Sequence, residues 1–421
     1  MPQPSPEPSS VVDIAIVGGG PVGLAFTRSL QGSGLRVLVI ERQRLQALEQ
    51  PASDGREIAL THASRRILES LGVWDCLHPA DISPLRDAQI FNGPSSFALN
   101  ITAQQGGVEQ LGYFVPNHLI RQALFDVLQD QPGFALRSGV GVEDIQTGTD
   151  CHTLRLSDGQ TVQARLVVAA DSRHSQTRRM MGIGAALHDF GRTMLVCRFA
   201  HEVPHHHITW QWFDHAQTLA LLPLNRATCL DDTDPDEQDD GLGEDSLPYR
   251  SNVVLTLPPH EMQQMQALDE LTFSANIQRR FAARLGAMQQ VGAIHTYPLV
   301  AVYAHRFAAS RYALIGDAAV GMHPITAHGF NFGLQGQQRL ADRIWLAHRR
   351  HQDFAADSVL QSYERAHRLA TWPLYQTTNA IATLYTDDRV PARLVRDGAL
   401  RLANAVLPFK KAIAAHLSQA T

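Results

Sequence analysis

Cysteine is scarce and scattered. Cys76, Cys151, Cys197 and Cys229 are the four in 421 residues, and none belongs to a Cys-x-x-Cys pair. That pattern excludes a disulfide framework and a cysteine-based zinc site, and it suits a reducing compartment. No apolar run is long enough to cross a bilayer. The opening MPQPSPEPSS carries neither the basic region nor the apolar stretch of a signal peptide, so residues 1–10 read as a disordered tail. A basic stripe interleaved with aromatics is also missing, which argues against nucleic acid as a partner. The expected location is cytoplasmic.

Charge of one sign is lacking in one place only. Residues 231–245 (DDTDPDEQDDGLGED) contain seven Asp, two Glu and no Lys or Arg, so the remainder of a chain of net charge −5 is net positive. Such a block repels itself and reads as a solvated, disordered loop. His205-His206-His207 is the one local histidine run. Neighbouring strand positions point to opposite faces, so it reads as a solvated loop, and no metal site is expected.

What is present is an ordinary soluble composition, 44% apolar and 18% charged, in a chain longer than one core usually serves. VVDIAIV (11–17) is a short apolar run of the kind a buried parallel strand requires. GGGPVG, a helical stretch to about Ser33 and RVLVIER (36–42) follow it. Helices are expected over 63–77 and 117–129, and buried strand character returns in RLVVAAD (165–171). From 188 to 300 the pattern turns β-rich, with one clear helix at 273–286. RYALIGD and a long helix from about Gly329 restore the first style. The expected architecture is α/β. A discontinuous Rossmann-like domain (11–187 and 301–345) carries an inserted β-rich substrate domain (188–300), with a helical C-terminal region (346–421).

Gly18-x-Gly20-x-x-Gly23 sits between strand and helix, with Glu41 ending the next strand. Gly18 permits the tight turn, Gly20 lets a diphosphate approach the backbone, and Gly23 lets helix and strand pack closely. Glu41 can accept a hydrogen bond from a ribose hydroxyl. Arg56 in Asp54-Gly55-Arg56 and Arg121 on its helix can each hold a phosphate or simply form a surface ion pair. Asp171, Arg178 and Arg179 likewise read as sheet punctuation or as ligand contacts. Asp317 ends a strand at the sheet edge where open α/β folds bind ligands. Beyond it, Gly329 and Asn331 begin a helix whose first amides can stabilise a developing anion. One dinucleotide fold together with a distant Asp and helix start points to FAD more than to NAD.

Together, DGREIALTHASRRILESLGVW, TLALLPL, YPL and GDAAVGMHPITAHGFNFGL resemble the flavin-dependent aromatic hydroxylases of the para-hydroxybenzoate hydroxylase type, and within them the ubiquinone-biosynthesis hydroxylases. The resemblance implies FAD contacts at Gly18, Gly20, Gly23, Glu41, Arg42, Arg56, Arg121, Asp317, Gly329 and Asn331. It implies hydroxylation of a polyprenylated aromatic ring with O2 through a flavin hydroperoxide, with electrons from NAD(P)H or a partner reductase. No protein nucleophile is required, so no catalytic side chain is assigned. Leu222, Pro223, His323, His328 and Phe330 are the candidates for lining a lipid-soluble substrate. A flavin reductase or dehydrogenase, or a non-catalytic flavin-binding assembly component, is the alternative on the same fold.

Two departures stand out. The family's Asp-Gly pair is Asp171-Ser172 here, and its Gly-Gln-Gly is Ala327-His328-Gly329, a variant consistent with the demethoxyubiquinone branch. The basic, partly apolar segment 389–411 suits peripheral contact with the inner face of a membrane or with a ubiquinone-biosynthesis complex. Packing on its own domain or on an oligomer partner is the alternative.

Overall fold

A computed structural model describes residues 11–93, 97–214, 217–225, 247–326 and 328–386. The tail 1–10, the acidic block 231–245, Cys229, Ala327 and the basic segment 389–411 lie outside the described residues.

Val11–Val17 pairs in parallel with Val37–Glu41 on one side and Thr161–Ala169 on the other. Ile14, Ala15 and Ile16 are fully buried because both faces of the strand are covered, which is why the run is apolar throughout rather than alternating. Each such aliphatic side chain contributes about 1.5–3 kcal/mol by leaving water. Phe134–Ser138 adds beyond Val37–Glu41, and Tyr312–Leu314 adds beyond Thr161–Ala169, all in parallel. Counted along the chain, these five strands lie in the order 3-2-1-4-5. The strand order therefore reverses between Val11–Val17 and Thr161–Ala169, the kind of switch point at whose carboxyl ends open α/β sheets bind ligands.

The second sheet has eight strands and is antiparallel apart from one pair. Its longest members, Ala185–His201 and Met288–Ala304, run 17 residues each. Leu195, Cys197 and Phe199 face one way and pack on Met262, Phe273 and Ile277 of the helices Pro259–Gln266 and Glu270–Arg280. The helix expected over 273–286 stops at Arg280 because Ala282 and Ala283 take left-handed φ of 51° and 52°. Val196 and Arg198 face the other way, toward Gly55 and Glu57.

Two strands of this second sheet, Asp87–Asn92 and Ala98–Ile101, come from the stretch assigned to 11–187. The sheet is therefore not contained in 188–300. A three-stranded sheet of Glu57–Leu60, Gly112–Pro116 and Ser83–Leu85 sits between the larger two in the chain path. The helices Gly329–Arg349 and Asp357–Thr386 complete the described chain. The expected α/β class, with a nucleotide-binding sheet and a second β-rich unit, is borne out.

Candidate functional site

Gly18 opens the turn at φ 114°, and a Cβ there would stand 2.5 Å from Ala170 O. A Cβ on Gly23 would stand 2.1 Å from Gly18 O. The backbone folds onto itself at both points. Gly20 differs, because an added Cβ would meet nothing within 4 Å. Gly20 is the N-cap of helix Pro21–Ser29, whose first amides have no intrahelical acceptor and suit an anion. Glu41 is held beside this turn, accepting from Gly19 N at 2.6 Å and from Gln43 N at 2.8 Å. Arg42 points toward Gln176 and lines a cavity of about 610 Å³ with Ser157 and Arg179. Arg121 reaches the same end of the sheet, donating to Gln43 Oε1 at 3.0 Å.

Three elements meet at Val22 in the first turn of that helix. A Cβ on Gly316 would stand 3.2 Å from Val22 Cβ, and one on Gly333 would stand 2.7 Å from Val22 Cγ2. The Asp317 turn and the head of helix Gly329–Arg349 are thereby brought against the Gly-rich turn. Asp317 Oδ2 accepts from Arg173 Nη2 at 2.9 Å. Phe332 N donates to His328 O at 2.9 Å, which leaves the amides of Gly329 and Phe330 outside the helix's own ladder. The side chain of Asn331 is spent on backbone, Oδ1 accepting from Thr61 N and Nδ2 donating to Ala59 O.

Arg56 pairs with Asp54, its Nε donating to Oδ2 at 2.9 Å, and lies over the Tyr297 ring. Burial alone would lower the guanidinium's pKa; Asp54 outweighs it, Tyr297 and Asp317 add, and the pKa stands above its ordinary value. The same loop is strapped to the second sheet. Tyr297 OH donates to Asp54 O at 2.6 Å, Asn252 Nδ2 donates to Gly55 O at 2.6 Å, and Arg198 meets Glu57 at 3.0 Å with both side chains buried. Asn117 Nδ2 donates to the same Asp54 Oδ2 at 2.7 Å, while Oδ1 accepts from Arg56 N at 3.1 Å. Sequence reasoning missed Asn117, Tyr297's hydroxyl, Arg173 and the Glu57–Arg198 pair. The only local signal was that three of the four residues Asp54–Glu57 are charged.

Met194, Val196 and Leu299 form a small apolar cluster on the sheet face turned toward this loop, with Phe190, Val254 and Tyr297 against it. Leu222 is opposite Asn252 and shares that face. Pro223 lies one residue on and points to the other side, so the two cannot line one cavity. Phe330 packs with the cluster around Leu60, Val115 and Leu124. His323 is buried beside Phe190 with ring centroids 4.6 Å apart, and its Nδ1 accepts from Ile325 N. Burial, with His188 adding, lowers its pKa to about 4, so it is neutral near pH 7. His328 is buried next to Phe332.

The histidine run is a correction. His206 and His207 take φ of 53° and 57°, and the turn folds His205 inward against His201 and Tyr249. His205 is buried rather than solvated, and burial lowers it to about 4. Among the described residues no group of three His, Cys, Asp or Glu has the geometry to hold a metal. Arg178 is structural, its Nη1 donating to Ala318 O at 2.9 Å from a buried position. Asp171 accepts from Ser175 Oγ and Thr177 N and so pins its own turn.

Ser172 sits at φ 75°, where an L side chain costs about 1–2 kcal/mol. Ser172→Gly is expected to raise stability by about 1 kcal/mol, read as a higher urea midpoint at constant slope. An unchanged or lower midpoint would show that the serine side chain offsets its backbone.

The sequence profile of the FAD binding domain family matches residues 11–378. The chain belongs to that family. The ubiquinone hydroxylase UbiM of Neisseria meningitidis is 40% identical over 410 residues, covering 96% of this chain and 84% of that protein. The 3-demethoxyubiquinol 3-hydroxylase of Escherichia coli is 27% identical over 394 residues, covering 93% and 94%. The crystal structure of p-nitrophenol 4-monooxygenase PnpA from Pseudomonas putida superposes with a TM-score of 0.75 at 17% identity, over 98% of this chain and 99% of that one. An FAD-dependent monooxygenase, the class expected from the sequence, is borne out, and the cofactor of this family member is FAD. No helix among the described residues is long and apolar enough to cross a membrane.

Proposed function

We propose that this FAD-binding family member hydroxylates the aromatic ring of a polyprenylated ubiquinone precursor with O2, drawing electrons from NAD(P)H or a partner reductase. The observation that carries the reading is the convergence at Val22. It sets a Gly-rich turn with an open side, an acidic turn and a second helix head around one crevice, facing an apolar sheet surface. Those residues fit the cofactor. Gly20's open side and the helix start receive the diphosphate, and Glu41 receives the ribose. Asp317 offers Oδ1 to a polyol hydroxyl, and the amides of Gly329 and Phe330 suit the electron-rich end of the ring system. Arg42, Arg56 and Arg121 supply cations at the crevice rim.

Bound FAD supplies the activation of O2. The chain's own part is to orient the ring and keep water out. Met194, Val196, Leu222 and Val254 offer a dry surface opposite the crevice, and His323, neutral near pH 7, adds no charge to it. The apolar tail of the substrate, and the basic segment 389–411, suit work at a membrane surface or within a biosynthetic complex.

The test is oxygen uptake by the FAD-loaded chain with a prenylated phenol in detergent and NAD(P)H as reductant. The expected result is a product one oxygen atom heavier, formed in step with oxygen consumed. Reduction of the substrate without oxygen uptake would sink the proposal.

A further inference from the structure

Arg173 ties together three elements that belong to different parts of the fold. It follows the strand Thr161–Ala169 by four residues, on the turn pinned by Asp171. Its Nη2 donates to Asp317 Oδ2 at 2.9 Å and its Nη1 to Val300 O at 3.0 Å. Val300 lies on Met288–Ala304, the strand that also carries Tyr297 and Leu299 of the apolar face. The backbone that carries Arg173 is held as well. Arg178, buried, donates from Nη1 to Ala318 O at 2.9 Å and from Nη2 to Arg173 O at 3.3 Å, which joins the two turns. Gly321 lies beside the pair, where a Cβ would stand 3.4 Å from Arg173 Cβ and 3.6 Å from Asp317 Cγ, in ordinary contact with both.

We infer that Arg173 is a positioning residue for the flavin's polyol chain: by holding Asp317 Oδ2 and Val300 O at once, it presents Asp317 Oδ1 to the cofactor and couples that contact to the substrate sheet. The inference rests on the flavin reading above. A carboxylate on a short turn is free to rotate about its side-chain bonds, and a ligand that must freeze it loses affinity for doing so. Arg173 makes that adjustment before the ligand arrives. One oxygen is occupied by a charge-assisted bond, and among the described residues the other accepts none. Displacement of Met288–Ala304 by a bound substrate would reach Asp317 through Val300 O.

The test strips flavin from the full chain and titrates it with FAD, following quenching of flavin fluorescence. Arg173→Ala is expected to weaken binding about tenfold, and Arg173→Lys, which keeps the charge but reaches one acceptor, is expected to recover part of the loss. In an Asp317→Asn background, Arg173→Ala is expected to add little, because the carboxylate with which the guanidinium pairs is already gone. Wild-type affinity in Arg173→Ala, or its full effect in the Asp317→Asn background, would overturn the inference. Should Arg173→Ala fail to fold, Arg173→Lys carries the test. It is expected to melt with the wild type and bind FAD more weakly, and binding equal to wild type would count against the inference. A wild-type chain that takes up no FAD would defeat the flavin reading itself, a result distinct from either.

Discussion

Gly20→Ala is expected to leave the free chain melting with the wild type and to weaken FAD binding by tenfold or more, about 1.4 kcal/mol or above. The physical reason is the open side of Gly20. Its new methyl meets no protein atom within 4 Å, so folding has nothing to lose, while the space it fills is where a diphosphate approaches the backbone. Gly23→Ala should behave differently. Its Cβ would lie 2.1 Å from Gly18 O, so helix and turn must separate, at about 1–3 kcal/mol of stability and with loss of flavin. Calorimetric melting of the apo chains and FAD titration of each separate the two cases. Equal FAD affinity in Gly20→Ala and wild type would remove the diphosphate from this turn.

Arg198→Met should destabilise the chain by about 3–5 kcal/mol, because Glu57 would be left buried and uncompensated. Glu57 is fully buried, and burial, partly offset by Arg198, lifts its carboxyl from 4.5 to about 7. Between those values the folded chain keeps a proton that the unfolded chain has released. Stability from this group is complete below pH 4.5 and is lost as pH rises through about 7. Glu57→Gln should flatten that slope. Without the Arg198 cation the carboxyl rises further, so the Arg198→Met deficit should be smallest in acid and widen toward alkaline pH. Urea denaturation of the three chains across that range checks the sign, and a deficit independent of pH would exclude Glu57 as its source.

Local periodicity made the nucleotide-binding half legible. VVDIAIV, the glycine turn and VLVIE each declare their state within a few residues, and GDAAVGMHPITAHG declares a strand end, a rigid proline and a helix start. Asp87–Asn92 was not legible, because an edge-side strand with five half-buried residues of six has neither the apolar run nor the alternation that marks one. The parity of Leu222 and Pro223 was readable in principle, since successive strand residues point apart, but the face that mattered depended on a partner strand. The Glu57–Arg198 pair spans 141 residues and Arg173–Asp317 spans 144, and no local pattern encodes which cation meets which acid. Phe330 and Asn331 were placed correctly on the helix start, yet their side chains turned inward because neighbouring strands offered an apolar cluster and two backbone partners.

The strap from Asp54–Glu57 to the second sheet carries a practical meaning for recombination. Exchanging residues 188–300 with a relative to alter substrate choice would cut three hydrogen-bonded or ionic ties at Asp54, Gly55 and Glu57, and would leave Asp87–Asn92 beside an unfamiliar strand. A chimera that also transplants 53–57 and 87–101 keeps both contacts intact. The second sheet with its strap is thus built from three separated stretches of sequence.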